Sequence, residues 1–186
     1  IFDEHLCFAY MEEYKLPVTI VRYFNTYGPR HYIQIPGVKD KGCCGPQPLF
    51  IQAALSGGKI TVHGDGAQKR CFCYVTDTVK GTILALENEK AIGQIFNIGN
   101  DQTEMSILDL AKLIIKLAGG SESQIEFVTH KKTFGKFEDV QRRIPDLTKS
   151  RTILGYGPCV TNEEGLKITI DWQKDWNKKS AISAAK

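Results

Sequence analysis

Val21-Arg22-Tyr23-Phe24-Asn25-Thr26-Tyr27-Gly28-Pro29-Arg30 is the stretch on which the reading of this 186-residue chain turns. The apolar run that leads into it, Leu16 to Val21, predicts a buried strand of a parallel sheet over 18–24, because strands covered on both faces read as near-continuous hydrophobic runs. The strand then gives way to a polar, aromatic Gly-Pro turn. Ligands of open α/β sheets sit beyond the carboxyl ends of the strands, so a site is expected at this turn.

Outward from that stretch the pattern alternates helix and strand. Upstream, residues 2 to 14 read as a helix with Leu6, Ala9, Tyr10 and Glu13 on one stripe. Downstream, residues 29 to 46 read as a long loop, and loops of that length in compact domains are usually functional or disordered. A helix is expected from Pro48 to Leu55, stopped by Gly57-Gly58. Lys59 to His63 alternates as a strand, Gly64-Asp65-Gly66 is a turn, and Lys69 to Val75 is a second strand. Asp77 to Glu87 is expected to be helical, with Asp77 as its cap, and Gln94 to Ile98 to be a strand ended by Gly99-Asn100. Ser106 caps a helix over 107–117, closed by Gly119-Gly120, and a short strand follows at Ile125 to Val128. Pro145-Asp146 opens a helix carrying Leu147 and Ile153. Thr161-x-x-Glu164 is a capping box for a last helix running to about Trp176. The fold class is α/β.

Composition narrows the functional classes. The 24 basic and 21 acidic residues leave a charge of +3, too little to imply a nucleic-acid partner. The lysines from Lys174 to Lys179 read as a solvated helix end. No run of eighteen apolar residues exists, so no membrane-spanning helix is expected. Of the six cysteines, Cys43-Cys44 and Cys71-x-Cys73 are the only close pairs, and neither has metal-ligand spacing. Cys71 and Cys73 share one face of a strand and read as buried thiols in a reducing, cytoplasmic compartment. The histidines His5, His31, His63 and His130 have no partner at ligand spacing; His31, in the long loop, reads as solvated.

The opening stretch resembles the segment after the catalytic helix in NAD-dependent nucleotide-sugar epimerases, dehydratases and decarboxylases, the extended short-chain dehydrogenase/reductase family. Three further stretches agree with that family in order and spacing. They are Gly64 to Arg70 leading into Cys71-Phe72-Cys73-Tyr74-Val75, then Phe96-Asn97-Ile98-Gly99-Asn100, then Glu138 to Asp146. The family also carries a Gly-rich phosphate-binding turn and a catalytic Tyr-x-x-x-Lys pair, and neither is in this sequence. The resemblance therefore implies the C-terminal, substrate-binding lobe of a Rossmann-type enzyme, beginning just after that pair. Residues 1–30 would be a remnant of the NAD-binding lobe and residues 31–186 the nucleotide-sugar-binding lobe, with no catalytic residue in the chain itself. A non-catalytic nucleotide-sugar-binding module, or the partner of a separate Rossmann chain, is the competing reading.

The resemblance also implies site residues. A nucleotide sugar carries a diphosphate, and arginine binds phosphate oxygens with a planar fork that keeps its charge. Arg70 and Arg143 match family arginines that hold the diphosphate, and Arg30 closes the Gly-Pro-Arg turn at a position of more variable role; surface ion pairs, such as Arg142 with Asp139, are the alternative. Asn25 matches an Asn that contacts the diphosphate, against an Asn that holds the turn by bonding its own backbone. Pro48, Leu49 and Phe50 match a segment packed around the uracil or thymine base, or else begin a helix on the core. Tyr23 and Phe24 lie where the backbone of relatives approaches the nicotinamide, although these residue types are more often core than site. The cofactor implied is NAD, the ligand a UDP- or dTDP-sugar. A homodimer is implied through helix 2–14.

Overall fold

The computed structural model describes residues 2–31, 45–120, 124–129 and 140–184. In chain order the elements are α1 (Phe2–Tyr14), β1 (Ile20–Tyr23), β2 (Thr26–Tyr27), α2 (Pro46–Ser56), β3 (Ile60–His63), β4 (Lys69–Cys71), β5 (Cys73–Tyr74) and α3 (Val75–Glu87). Then come β6 (Ile95–Ile98), β7 (Glu104–Ser106), α4 (Ile107–Ala118), β8 (Ile125–Val128), β9 (Arg142–Arg143), α5 (Thr148–Leu154) and α6 (Asn162–Ala184). The chain divides into two units, each assembled from three separate stretches. The first holds Ile1–Thr26, Cys71–Thr103 and Ile144–Val160; the second holds Tyr27–Arg70, Glu104–Arg143 and Thr161–Lys186. Most of the expected long loop, Cys43, Cys44, His130, Glu138 and Asp139 fall outside the described residues.

The first unit is built on a parallel pair, β1 beside β6, with Ile20 opposite Ile95 and Tyr23 opposite Ile98. The parallel pairing follows the sequence reading. The strand is shorter than expected and only half-buried at Ile20 and Val21, with Arg22 and Tyr23 exposed. Its approach, from Lys15 to Thr19, is held differently: Gly93 N donates to Val18 O and Thr19 Oγ1 donates to Ala91 O, so a turn rather than a ladder receives these residues. The core joins Phe96 and Ile98 of β6 to Ala85 of α3, with Ala91, Leu147, Leu154 and Tyr156. Gly81 sets how closely α3 approaches. A Cβ there would lie 2.7 Å from Ile98 Cγ2 and 2.9 Å from the Tyr156 ring. Helix α1 buries none of its residues, and Phe2, Leu6, Tyr10 and Tyr14, four apart along it, are all exposed.

The expected strand over 69–75 is broken. Cys73 N donates to Asn25 O at 3.1 Å, so the chain leaves the β4 ladder at Phe72 and enters α3 at Val75. Asp77 is not the cap of α3, whose cap position is Tyr74. It lies inside the first turn, buried, and its Oδ2 accepts from the backbone N–H groups of Cys159 and Val160, both at 3.0 Å. The expected stripe of Cys71 and Cys73 is fully buried, and Phe72 between them is buried as well.

The second unit packs α2 and α4 against β3, which pairs in parallel with β8. Helix α4 places Leu110, Ala111, Ile114 and Ile115 inward at helical spacing. Ser106 Oγ accepts from Asp109 N at 2.9 Å, and Gly119 closes the helix with φ 82°, a left-handed conformation that glycine adopts without steric cost. Thr161 Oγ1 accepts from Glu164 N, as the capping box requires. Helix α6 runs past the expected Trp176 to Ala184. Its continuation contains no Gly or Pro and is supported by the stacked Trp172 and Trp176 rings, 5.6 Å apart, and by the Gln173–Asn177 hydrogen bond.

Candidate functional site

The turn at Gly64-Asp65-Gly66 aims the strand that carries Arg70. Asp65 Oδ1 accepts from Ala67 N at 2.9 Å, the self-bonding turn that Asp favours. Gly66 has φ 71°, and a Cβ there would sit 2.7 Å from Val62 Cγ1 and 3.0 Å from Leu108 Cβ. Leu108 N donates to Gly66 O and Ile107 N to Gln68 O, both at 3.1 Å, which ties the turn to the start of α4. Arg70 thus leaves a turn fixed from both sides.

The three strands lie in the order β7-β4-β9, and the β4–β9 pair is parallel with Lys69 opposite Arg142 and Arg70 opposite Arg143. Successive side chains of a strand point to opposite faces, and partners in register share a face. One face therefore carries Arg70 and Arg143, the other Lys69 and Arg142. Glu104, from β7, takes Arg142 in a two-pronged ion pair: Arg142 Nε donates to Oε1 at 2.8 Å and Nη2 to Oε2 at 3.2 Å. That pair holds the Glu104 carboxyl below the usual carboxylate range, through the Arg142 hydrogen bonds first and its charge second. The expected partner of Arg142, Asp139, lies outside the described residues. Glu104 was missed because it is 38 residues away, and only the strand register places it there.

The two remaining arginines differ in setting. Arg70 is 6% exposed and its Nη1 donates to Lys69 O at 2.8 Å, while Arg143 is exposed. A buried guanidinium is costly unless its N–H groups are met. A rung of two cations on one face of a short sheet, one anchored and one presented to solvent, suits a doubly charged anion.

The other expected site residues divide between the units. Asn25, Tyr23 and Phe24 belong to the first; Arg30, Pro48, Leu49 and Phe50, like Arg70 and Arg143, to the second. Asn25 sits at φ 45°, a left-handed conformation that Asn tolerates. Its Nδ2 donates to Cys71 O at 2.7 Å, so this amide bonds a backbone group 46 residues away. Tyr23 is not a core residue. It is half-exposed, and its hydroxyl shares a hydrogen bond with Thr82 Oγ1 at 3.0 Å. Phe24 packs beside Gly99, where a Cβ would come within 2.9 Å of Phe24 Cβ and 3.2 Å of Pro145 Cγ. Arg30 is exposed with φ 68°. Pro48 and Phe50 are buried in the first turns of α2, with Leu49 half-buried, and Phe50 turns inward together with Ile51 and Ala54. Among the described residues no cluster of three metal-ligating side chains exists, and no helix is long and apolar enough to cross a membrane.

Comparison with known proteins bears on this geometry. The profile of the NAD dependent epimerase/dehydratase family matches residues 1–99. The UDP-N-acetyl-alpha-D-glucosaminuronate decarboxylase of Bacillus cytotoxicus is 44% identical over 174 residues, covering 93% of this chain and 51% of that protein. Among solved structures, the UDP-glucuronic acid 4-epimerase of Bacillus cereus, in complex with UDP-glucuronic acid and NAD, superimposes with a TM-score of 0.76 at 33% identity, over 93% of this chain and 50% of that one. The dTDP-glucose 4,6-dehydratase of Bacillus anthracis, in complex with NAD, gives 0.75 at 28% identity, over 94% and 50%. The chain thus spans about half the length of the relatives it matches.

Proposed function

We propose, since this chain belongs to the NAD dependent epimerase/dehydratase family, that it is the nucleotide-sugar-binding portion of an enzyme acting on a UDP- or dTDP-sugar. The observation that carries the reading is the Arg70–Arg143 rung: two cations in register on one face of β4 and β9, opposite the face that carries Lys69 and Arg142. Arg70 and Arg143 hold the diphosphate, and Asn25 and Arg30 are the further polar substrate-binding residues of this reading. Pro48 and Leu49 border the base, with Phe50 supporting them from the core. Tyr23 and Phe24 belong to the cofactor side. In this reading residues 1–30 carry a helix and strand of the NAD-binding lobe and residues 31–186 the substrate lobe, while 71–103 and 144–160 pack in the same unit as the opening stretch.

NAD fits the reading through β1, whose carboxyl end opens at Tyr23 to Asn25 as ligand-binding strands of open α/β sheets do. When bound it would take and return hydride at the sugar. The residues of this chain would bind and orient the nucleotide end, leaving proton transfer to groups outside it. The relatives named above include a decarboxylase, an epimerase and a dehydratase. All three reactions need the same diphosphate anchor, so the lyase or isomerase outcome is set by groups near the sugar.

The proposal extends to a homodimer through α1, supported by its exposed Phe2, Leu6, Tyr10 and Tyr14, and to a cytoplasmic location, supported by the buried Cys71 and Cys73 thiols. Calorimetric titration of UDP into the chain and its variants tests the site. Arg143→Ala should weaken binding by about 1.5–3 kcal/mol, the worth of a charge-assisted contact. Arg142→Ala should cost about 1 kcal/mol or less, since its ion pair with Glu104 is exposed. Equal losses at both positions would sink the rung assignment.

A further inference from the structure

Helix α3 and the stretch that closes the first unit bring two nucleophiles together at the surface. Both belong to that unit, Lys80 in α3 and Cys159 in the stretch Ile144–Val160. Asp77, buried in the first turn of α3, accepts with Oδ2 from Cys159 N and Val160 N, both at 3.0 Å. Those two bonds pin the backbone of Cys159 to the helix. Lys80 stands three residues after Asp77, about one turn on along the same face. Its Nζ donates to Cys159 Sγ at 3.8 Å, and the thiol donates in turn to Gly157 O at 3.4 Å. The sulfur is thus held by an ammonium on one side and a carbonyl on the other. Among the described residues Cys159 is the one exposed cysteine, and Lys80 is exposed beside it. No ion pair among the described residues engages Lys80. The two positions are 79 apart in the chain, so their meeting is a product of the fold.

We propose that Lys80 and Cys159 form an oxidation-dependent crosslink, a sulfenamide between Nζ and Sγ, with hydrogen peroxide as the oxidant. An exposed thiol beside a cation is the setting in which oxidation is site-selective, and a sulfenic acid condenses with a nitrogen within reach. In the first step the thiolate attacks one oxygen of the peroxide. An S–O bond forms, the O–O bond breaks, and hydroxide leaves and takes up a proton as water. The sulfur loses two electrons and the peroxide gains them. In the second step the Nζ lone pair of Lys80, in its amine form, attacks the sulfenic sulfur. An N–S bond forms, the S–O bond breaks, and hydroxide leaves with a proton from the nitrogen as water. The sum converts one thiol, one amine and one peroxide into one sulfenamide and two waters. The Lys80 stem is flexible, so the bond closes by side-chain rotation while Asp77 keeps the backbone of Cys159 in place. The product ties α3 to residue 159 and closes the chain between them into a covalent loop, which restrains the unfolded state as a disulfide does. A thiol reductant reverses it by attack at the sulfur, with the amine as leaving group.

The test treats the folded 186-residue chain with hydrogen peroxide, digests it with trypsin and reads the peptides by mass spectrometry. The expected product joins the peptides that contain Lys80 and Cys159, at their summed mass less two hydrogen atoms. Trypsin no longer cleaves after Lys80, and dithiothreitol restores both peptides and the cleavage. Hydrogen exchange at the Cys159 and Val160 amides should slow by about tenfold or more on oxidation, while exchange at Ile60 to His63 stays unchanged. Lys80→Arg keeps the cation and removes the amine. It should give no crosslink and should instead accumulate a sulfenic acid at Cys159, trapped by dimedone. Cys159→Ser should give neither product. Both positions are exposed, and circular dichroism should show both variants folded as the parent is. Cys159 oxidised to sulfinic or sulfonic acid in the parent with Lys80 still cleaved, Cys159 left unmodified, or a crosslink that persists in Lys80→Arg each overturns the proposal.

Discussion

At the scale of single residues, the first unit keeps a chain of polar groups inside its core. Tyr156 hydroxyl donates to Gly99 O at 2.7 Å and lies 3.7 Å from Cys73 Sγ, which accepts from Thr78 Oγ1 at 3.4 Å. Thr78 in turn meets Thr26 Oγ1 at 3.0 Å. Burial pushes both the Cys73 thiol and the Tyr156 phenol above their ordinary values. Raised pKa values mean that the folded chain holds protons the unfolded chain releases. Their contribution is then complete at neutral pH and is lost as pH climbs past the ordinary thiol and phenol range. Urea midpoints measured from pH 7 upward should fall in the alkaline region, and less steeply in Tyr156→Phe. Tyr156→Phe also strips a buried acceptor, Gly99 O, of its donor, and should cost about 1–3 kcal/mol at neutral pH. Asp77→Ala removes the acceptor of two backbone N–H groups, those of Cys159 and Val160. It should cost a similar amount, with Asp77→Asn losing less because one carbonyl oxygen remains; indistinguishable unfolding curves for Asp77→Ala and the parent would show that water replaces the carboxylate.

At the scale of elements, close approach decides the packing. Gly81→Val would drive two methyl groups into Ile98 and Tyr156, and overpacking of this kind costs about 1–3 kcal/mol or more. A fall in melting temperature with unchanged helical dichroism is the expected signature. Elements with punctuation of their own were legible in the sequence: α2 with Gly57, α4 with Ser106 and Gly119, α6 with its capping box. Where tertiary partners decide, the sequence misled. The strand expected over 69–75 breaks because Asn25 O captures Cys73 N, and Asp77 serves a segment some eighty residues on rather than its own helix. The same limit governed the candidate site. Arg70 and Arg143 could be picked out as arginines of the right type, but their common face depends on a register between strands more than seventy residues apart, which no local pattern encodes. The tie from Asn25 to Cys71 and the Glu104 pairing are long-range in the same way.

At the scale of the whole molecule, the sequence holds no Tyr-x-x-x-Lys pair and no Gly-rich phosphate turn. A positioned base contributes about 10²–10⁴-fold to such reactions. The 186-residue chain should therefore bind UDP yet convert no UDP- or dTDP-sugar, and turnover by the pure chain in an assay for released carbon dioxide or epimerised sugar would refute this. The exposed stripe of α1 should also drive self-association at high concentration. Light scattering of Leu6→Glu with Tyr10→Glu against the parent would assign that association to α1 if the double variant alone is monomeric.

The division into interleaved units has a consequence for inheritance. Three stretches alternate with three, so the chain passes from one unit to the other at five points. No single cut in the gene can release either unit whole, and a recombination crossover placed anywhere between the first and last of those points leaves parts of both on each side. Neither unit can be traded between relatives as a cassette.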